Sequence, residues 1–260
     1  MTPPVVVVVV HRDADELATA VAARLITRVA DVQSAREHAA VVVTGGGLGG
    51  ATLGAVAASP ARSAVDWKRL DVWWGDERFL PRGHPERNET QARAALLDTV
   101  PVASDRVHPM PATEDTAGDP DAAAELYAAE LAAATRAENH AQVPEFDVMM
   151  LGVGPDGHVA SLFPDQPALY EQRQVVAVRG SPKPPPTRIS LTLPAIRTAT
   201  EVWLVVAGDD KAAAVRMALS GAGEVQIPAA GARGRQRTLW LLDRAAASAL
   251  PPGLERIAAP

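Results

Sequence analysis

Phe146-Asp147-Val148-Met149-Met150-Leu151 reads as a buried strand, and it runs straight into Gly152-Val153-Gly154-Pro155-Asp156-Gly157-His158. A short apolar run that empties into glycines and polar side chains is what a strand of a parallel sheet looks like at its carboxyl end, where ligands of open α/β sheets gather. The same pattern recurs on both sides of this stretch. Ala39–Val43 leads into glycines from Gly45, Leu70–Trp74 into Gly75-Asp76-Glu77-Arg78, and Val202–Ala207 into Gly208-Asp209-Asp210-Lys211. Val5–Val10, Gln174–Val178, Arg188–Leu193 and Thr238–Leu242 supply further strands.

Ala-rich amphipathic stretches lie between these runs. Asp13 with Glu16 three residues on resembles a capping box and opens a helix expected to reach about Val29. Further helices are expected near Ala51–Ala58 and Glu89–Leu97, and from about Lys211 to Leu219, with a short one at the end of the chain. Asp119 as N-cap, with Pro120 at the first helical position, should start a helix reaching about Ala141. Strands alternating with helices predict an α/β fold built on a mostly parallel sheet. At 260 residues the chain could hold one large domain of this kind or two small ones.

Composition narrows the function. The formal net charge is -6 and no Lys/Arg run exceeds two residues, which disfavours nucleic acid as a partner. A few local cations can still hold a small anion. The absence of cysteine excludes disulfides, thiolate nucleophiles and Cys-based zinc sites, and it suits a reducing cytoplasm. The apolar run from Val5 to Val10 is too short to span a bilayer and lacks a basic leader, so neither a membrane nor a signal segment is expected.

Five segments could carry chemistry. Thr44-Gly45-Gly46-Gly47, between a strand and a helix, offers backbone N–H groups and a hydroxyl for an anion. Gly45, Gly47 and Gly50 also fit G-x-G-x-x-G, but Gly152, Gly154 and Gly157 fit it equally, and both cannot open the same dinucleotide-binding unit. A nicotinamide enzyme would further need an acidic residue at the end of its second strand, and Asp66 and Asp71 precede Val72–Trp74. Asp76-Glu77-Arg78, followed by Asn88, supplies an acid/base candidate and an anion clamp. In the run from Gly152 to Pro164, His158 is poised for proton transfer, with Asp156 two residues earlier to orient it. The other histidines (His11, His38, His84, His108 and His140) read as surface or turn residues. The prolines of Ser181–Pro186 stiffen a loop that could hold Lys183 and Arg188 against an anion. Lys211 at a helix start opposes the helix dipole, which hints at an anionic ligand.

Taken together, these segments resemble the 6-phosphogluconolactonase family, related to the glucosamine-6-phosphate isomerase/deaminases. The resemblance covers nearly the whole chain. Its central element, Gly-x-Gly-x-Asp-Gly-His-x-Ala-Ser-Leu-Phe-Pro, is matched at every position from Gly152 to Pro164, with Pro155 at a variable site. It implies a single domain over residues 1–260, with a Rossmann-like, mostly parallel sheet flanked by helices on both faces and no required cofactor or metal. It implies His158 as general base supported by Asp156. Thr44, Gly45, Gly46, Asp76, Arg78, Lys183, Arg188 and Lys211 become candidates for the phosphate and sugar hydroxyls of a phosphosugar lactone. One departure is that Thr44 and Gly47 stand where relatives often carry Ser and Ser or Thr, so the contact at Gly47 is expected through backbone alone. The implied reaction is hydrolysis of the lactone, in the cytoplasm; the oligomeric state is left open, a monomer being one option. The alternative is an aminosugar-phosphate isomerase/deaminase using Asp76 as base; a non-catalytic sugar-phosphate sensor is a third reading.

Overall fold

The structure is a computed structural model and describes residues 4–135, 141–251 and 256–257. Along the chain, β1 (Val5–His11) leads into α1 (Ala14–Ala35), then β2 (Ala39–Val43), α2 (Gly46–Ala58), β3 (Leu70–Trp74) and β4 (Asp76–Arg78). Next come α3 (Asn88–Ala95), β5 (Val107–His108), α4 (Pro120–Ala133), β6 (Val148–Gly152), β7 (Val175–Val178) and β8 (Arg188–Leu191). The chain continues through α5 (Leu193–Ile196), β9 (Glu201–Val206), α6 (Ala212–Leu219), α7 (Pro228–Gly231), β10 (Arg237–Asp243), α8 (Arg244–Ala247) and β11 (Arg256–Ile257).

Eight of these strands form one sheet in the order β11-β1-β10-β9-β6-β2-β3-β5, and every pairing is parallel. Parallel strands must be covered on both faces. That is why β2 and β9 are buried at every residue and read as apolar runs, broken in β9 only by the buried Glu201 at its start. Helices flank the sheet in the Rossmann-like manner expected. After β2 the chain moves outward to β3 and β5; after β6 it moves the other way, to β9 and β10. β2 and β6 are neighbours, so the crevice between the turns that follow them is a topological switch point, the usual ligand position in such sheets.

The expected helix starts hold where a cap was visible. Asp13 accepts the Glu16 N–H at 2.9 Å and Asp119 accepts the Asp121 N–H at 2.9 Å. Helix lengths differ from expectation. α1 runs on to Ala35 because its buried stripe continues through Val32 and Gln33, whose amide bonds the carbonyls of Asp66 and Arg69. α2 begins at Gly46, not near Ala51, since a Cβ at Gly49 would overlap the Thr44 carbonyl and only glycine lets the helix start so close to its strand. α4 stops at Ala133, where the Thr135 hydroxyl takes the Ala132 carbonyl at 2.7 Å; residues 136–140 of the expected extension lie outside the described residues.

Two of the expected strands, at Gln174–Val178 and Arg188–Leu193, form a separate antiparallel sheet of order β4-β8-β7, and its third strand, β4, has no counterpart in the sequence reading. Asp76-Glu77-Arg78 is a strand, not a turn, paired with Ser190, Ile189 and Arg188. Tyr127 of α4 braces the end of β3 just ahead of it: its hydroxyl accepts the Trp74 N–H at 3.1 Å. The surface reading of the histidines fails at His11, which is buried at the end of β1 with Nδ1 3.6 Å from Glu16. His108 is half-buried, stacked on Trp73 at 3.8 Å between centroids. His140 lies outside the described residues. No helix among the described residues is long and apolar enough to cross a membrane.

Candidate active site

The turns after β2, β3 and β6 meet the proline loop and the start of α6 around a cavity of about 350 Å³. Thr44, Gly45, Gly46, Asp76, Arg78, His158, Lys183, Arg188 and Lys211 all line it. Asp156 stays off the wall and reaches the site through His158, and Gly47 and Glu77, also named from sequence, do not line the cavity.

The loop after β6 is built around the imidazole. Gly154 N–H donates to the His158 carbonyl at 3.0 Å and Gly157 N–H to the Gly154 carbonyl at 2.9 Å, with Gly157 at φ +84°. A Cβ at Gly154 would overlap the His158 ring, so glycine is required there for space. His158 Nδ1 lies 2.5 Å from Asp156 Oδ1, and the ring leans on Phe163 at 4.5 Å and 35°. A carboxylate can only accept, so Nδ1 carries the hydrogen and Nε2 keeps its lone pair. Burial pushes the Asp156 carboxyl up, but the hydrogen bond from His158, together with its charge whenever the ring is protonated, outweighs it and holds the group at about 2. Asp156 is therefore a carboxylate at neutral pH.

On the opposite wall, β4 turns Asp76 and Arg78 toward the cavity. Asp76 Oδ2 accepts from the buried Ser161 hydroxyl at 2.7 Å, and Oδ1 accepts from Asn88 Nδ2 at 3.3 Å. Arg78 Nη1 donates to the Glu86 carbonyl at 3.1 Å and to Asn88 Oδ1. Asn88 packs so closely on Gly45 that a Cβ there would overlap its amide. Thr44 joins the two central turns, its Oγ1 accepting the Gly152 N–H at 3.3 Å. Gly45 caps α2 without a side chain, which leaves that helix terminus facing the cavity with its backbone donors.

The proline loop is held by Arg188. Its Nε donates to the Pro185 carbonyl at 2.7 Å and its Nη2 to those of Lys183 and Pro184, both at 3.0 Å. Its Nη1 stands 4.0 Å from Asp76 Oδ2. Burial pushes the Arg188 pKa down, with Asp76 opposing. Lys211 Nζ is taken by Asp210 at 2.7 and 2.8 Å. Arg78, Lys183, Arg188 and Lys211 thus face Asp76 and Asp210 across one cavity, an excess of positive charge suited to an anionic substrate.

Asn88, named from sequence after Asp76-Glu77-Arg78, lines the cavity as well, and Ser161, Phe163 and Asp210, with no role assigned from sequence, complete the site. Those three stand inside the segments already quoted, and proximity to His158 or to Gly208 was the signal available for them. A larger cavity of about 1040 Å³ opens at the other end of the sheet. Its arginines are engaged, Arg36 with Asp147, Arg106 with Asp71, Arg197 with Glu224 and Arg235 with Glu145. The smaller cavity, at the switch point and beside the His158–Asp156 pair, is the better candidate.

An open α/β sheet with a histidine–carboxylate pair and clustered cations at its switch point makes a site suited to an enzyme acting on a small anionic substrate. The chain belongs to the glucosamine-6-phosphate isomerase/6-phosphogluconolactonase family, whose model matches residues 12–240. It is 65% identical over 248 residues to a 6-phosphogluconolactonase of Streptomyces coelicolor, covering 95% of each chain. It is 51% identical to one of Mycobacterium tuberculosis, covering 92% of this chain and 96% of that one. Among solved structures it resembles the 6-phosphogluconolactonase of Trypanosoma brucei, with TM-score 0.82, 26% identity and coverage of 96% and 100%. A monomeric glucosamine-6-phosphate deaminase shares the fold, with TM-score 0.76 at 17% identity.

Proposed function

We propose that this chain hydrolyses 6-phospho-D-glucono-1,5-lactone to 6-phosphogluconate, the second step of the oxidative pentose phosphate pathway, in the cytoplasm. The observation that carries the reading is the 2.5 Å contact between His158 Nδ1 and Asp156 beside a cation-rich cavity. The lactonase names of relatives at 65% and 51% identity support it over the deaminase alternative.

The phosphate is held by the cations of the far wall, with Lys183, Arg78 and Lys211 as donors, and Asp76 takes a sugar hydroxyl. Anchoring at the phosphate makes water attack on C1 an oriented event. His158 Nε2 removes a proton from the attacking water as its oxygen bonds to C1. The oxyanion that forms on the former carbonyl oxygen is met by backbone N–H groups at the start of α2 or by a neighbouring cation. When the C1–ring oxygen bond breaks, the imidazolium returns its proton to the departing oxygen. The carboxylate of Asp156 stabilises the imidazolium between these steps. A lactone is an activated ester, so no covalent nucleophile is demanded, and general acid–base help of order 10²–10⁴ is what the pair can supply.

The test is hydrolysis of freshly made lactone by wild type and His158→Ala, followed through a dehydrogenase coupled to the acid product, with spontaneous ring opening subtracted. Wild type should accelerate the reaction and His158→Ala should lose about a hundredfold or more in kcat while keeping affinity for 6-phosphogluconate. Equal rates would remove His158 as base. Release of ammonia from glucosamine 6-phosphate in place of lactone turnover would favour the deaminase.

A further inference from the structure

Glu77 does not line the cavity. The alternation of β4 that turns its neighbours Asp76 and Arg78 outward turns Glu77 into the protein, where it is fully buried. Its carboxylate accepts three backbone N–H groups: Arg78 at 2.8 Å and Asn88 at 2.6 Å on Oε1, and Glu89 at 2.9 Å on Oε2. The last two are the opening residues of α3, whose own N-cap, Arg87, offers no capping side chain. The Arg87 guanidinium donates instead to the carbonyls of Met110, Leu80 and Pro111 and to Glu89, and stands 3.8 Å from Glu77. Glu77 therefore caps α3 from another element.

The consequence reaches the cavity through Asn88. Its Nδ2 donates to the Asp76 carbonyl at 2.8 Å and to the Asp76 carboxylate, its Oδ1 accepts from Arg78, and its amide rests on Gly45. One buried carboxylate thus fixes the relation of β4 to α3, and with it the placing of Asp76, Arg78 and Asn88. A local Ser, Thr or Asn at the N-cap would satisfy the helix without burying a charge. A carboxylate that bonds both segments at once does something a local cap cannot: it sets the distance between them.

We propose that Glu77 is a positioning residue for substrate binding, its carboxylate tying β4 to the start of α3 so that Arg78 and Asn88 keep the spacing that receives the phosphosugar. This inference rests on the lactonase reading above. It separates Glu77 from the His158 machinery, which stands on a different loop. Damage at Glu77 should therefore appear in KM and leave kcat largely intact.

Glu77→Gln keeps the shape but places an NH2 against one of the two α3 donors. Glu77→Asp keeps the charge but is one methylene too short to reach both. With the full chain, KM and kcat for the lactone and the Kd of 6-phosphogluconate and of inorganic phosphate by calorimetry are the readouts, with thermal melting as control. Glu77→Gln should raise KM and both Kd values about tenfold, with kcat within about threefold, and Glu77→Asp should follow the same pattern more mildly and serve alone if the glutamine variant does not fold. A lowered melting point with KM and Kd unchanged in a folded variant would make Glu77 a structural cap only and overturn the proposal. If wild type shows no lactone turnover, the lactonase reading fails by itself, and the phosphate Kd ratio of variant to wild type still decides the role of Glu77.

Discussion

Asp156→Asn exchanges one oxygen for an NH2 at the group 2.5 Å from His158 Nδ1. The amide oxygen of Asn can still accept from Nδ1–H, so the tautomer and the ring position survive. What disappears is the negative charge facing the imidazolium that forms when Nε2 takes the water proton. Hydrogen bonds involving a charged group contribute about 1.5–3 kcal/mol against about 1 kcal/mol for neutral ones. The Asp156 side chain is 37% exposed, so solvent screens part of that charge and the lower end applies. Because the neutral bond survives, the loss is the difference, about 0.5–1 kcal/mol of transition-state stabilisation, which corresponds to about a two- to fivefold fall in kcat. KM should stay within about twofold, since Asp156 does not itself line the cavity and acts on it through the His158 ring. Initial rates at near-neutral pH, coupled to oxidation of the acid product and corrected for spontaneous opening, measure both constants. An unchanged kcat would refute the charge argument. A rise in KM at constant kcat would move Asp156 from supporting the base to shaping the binding site.

Gly154→Ala places a methyl where the His158 ring now lies, so the ring must leave its Asp156 contact; kcat should fall at least about tenfold with 6-phosphogluconate affinity kept, and a wild-type kcat would mean the loop relaxes freely. Burial pushes the Glu77 carboxyl up to about 7 against the opposing Arg87 and its three N–H donors. A folded pKa raised above 4.5 means its stabilising contribution is complete below that value and is lost as pH rises through about 7. Urea unfolding of wild type and Glu77→Gln across this window should show wild type losing on the order of 3 kcal/mol relative to the variant, and a pH-independent difference would refute the assignment.

The parallel sheet was legible because its physics writes itself into consecutive residues. A strand buried on both faces is mostly apolar, so Ala39–Val43, Val72–Trp74 and Val202–Val206 stand out against their flanks, and the charges at the strand starts, Asp71 and Glu201, are paired with Arg106 and Arg28. Of the antiparallel sheet, β7 and β8 were legible as strands, but β4 and the pairing left no such trace. β4 is three residues long and carries Asp, Glu and Arg, and its partner β8 lies more than a hundred residues on. Its charges are buried because distant groups satisfy them: Ser161 for Asp76, the start of α3 for Glu77. No local pattern announces a partner so far away, and a charged triplet after a strand reads as a solvated turn until the fold supplies one.

The site divides along the same line. Residues whose role depends on their own loop were legible, as with Gly154, Asp156 and His158, whose spacing alone brings carboxylate to imidazole. Residues whose role depends on what surrounds them were placed correctly but incompletely. Arg188 is the clearest case. From sequence it is a cation on a proline-stiffened loop, free to meet an anion. In the fold it spends Nε and Nη2 on the carbonyls of Pro185, Lys183 and Pro184, so the arginine itself is part of what makes the loop rigid. Only Nη1 is left toward the cavity, and Asp76 stands 4.0 Å from it. An anion arriving there would meet a charge already half committed. On the proposed reading the larger share of phosphate recognition then falls to Lys183, whose main chain Arg188 holds in place, and Arg188 acts as much through the loop it braces as through the charge it carries.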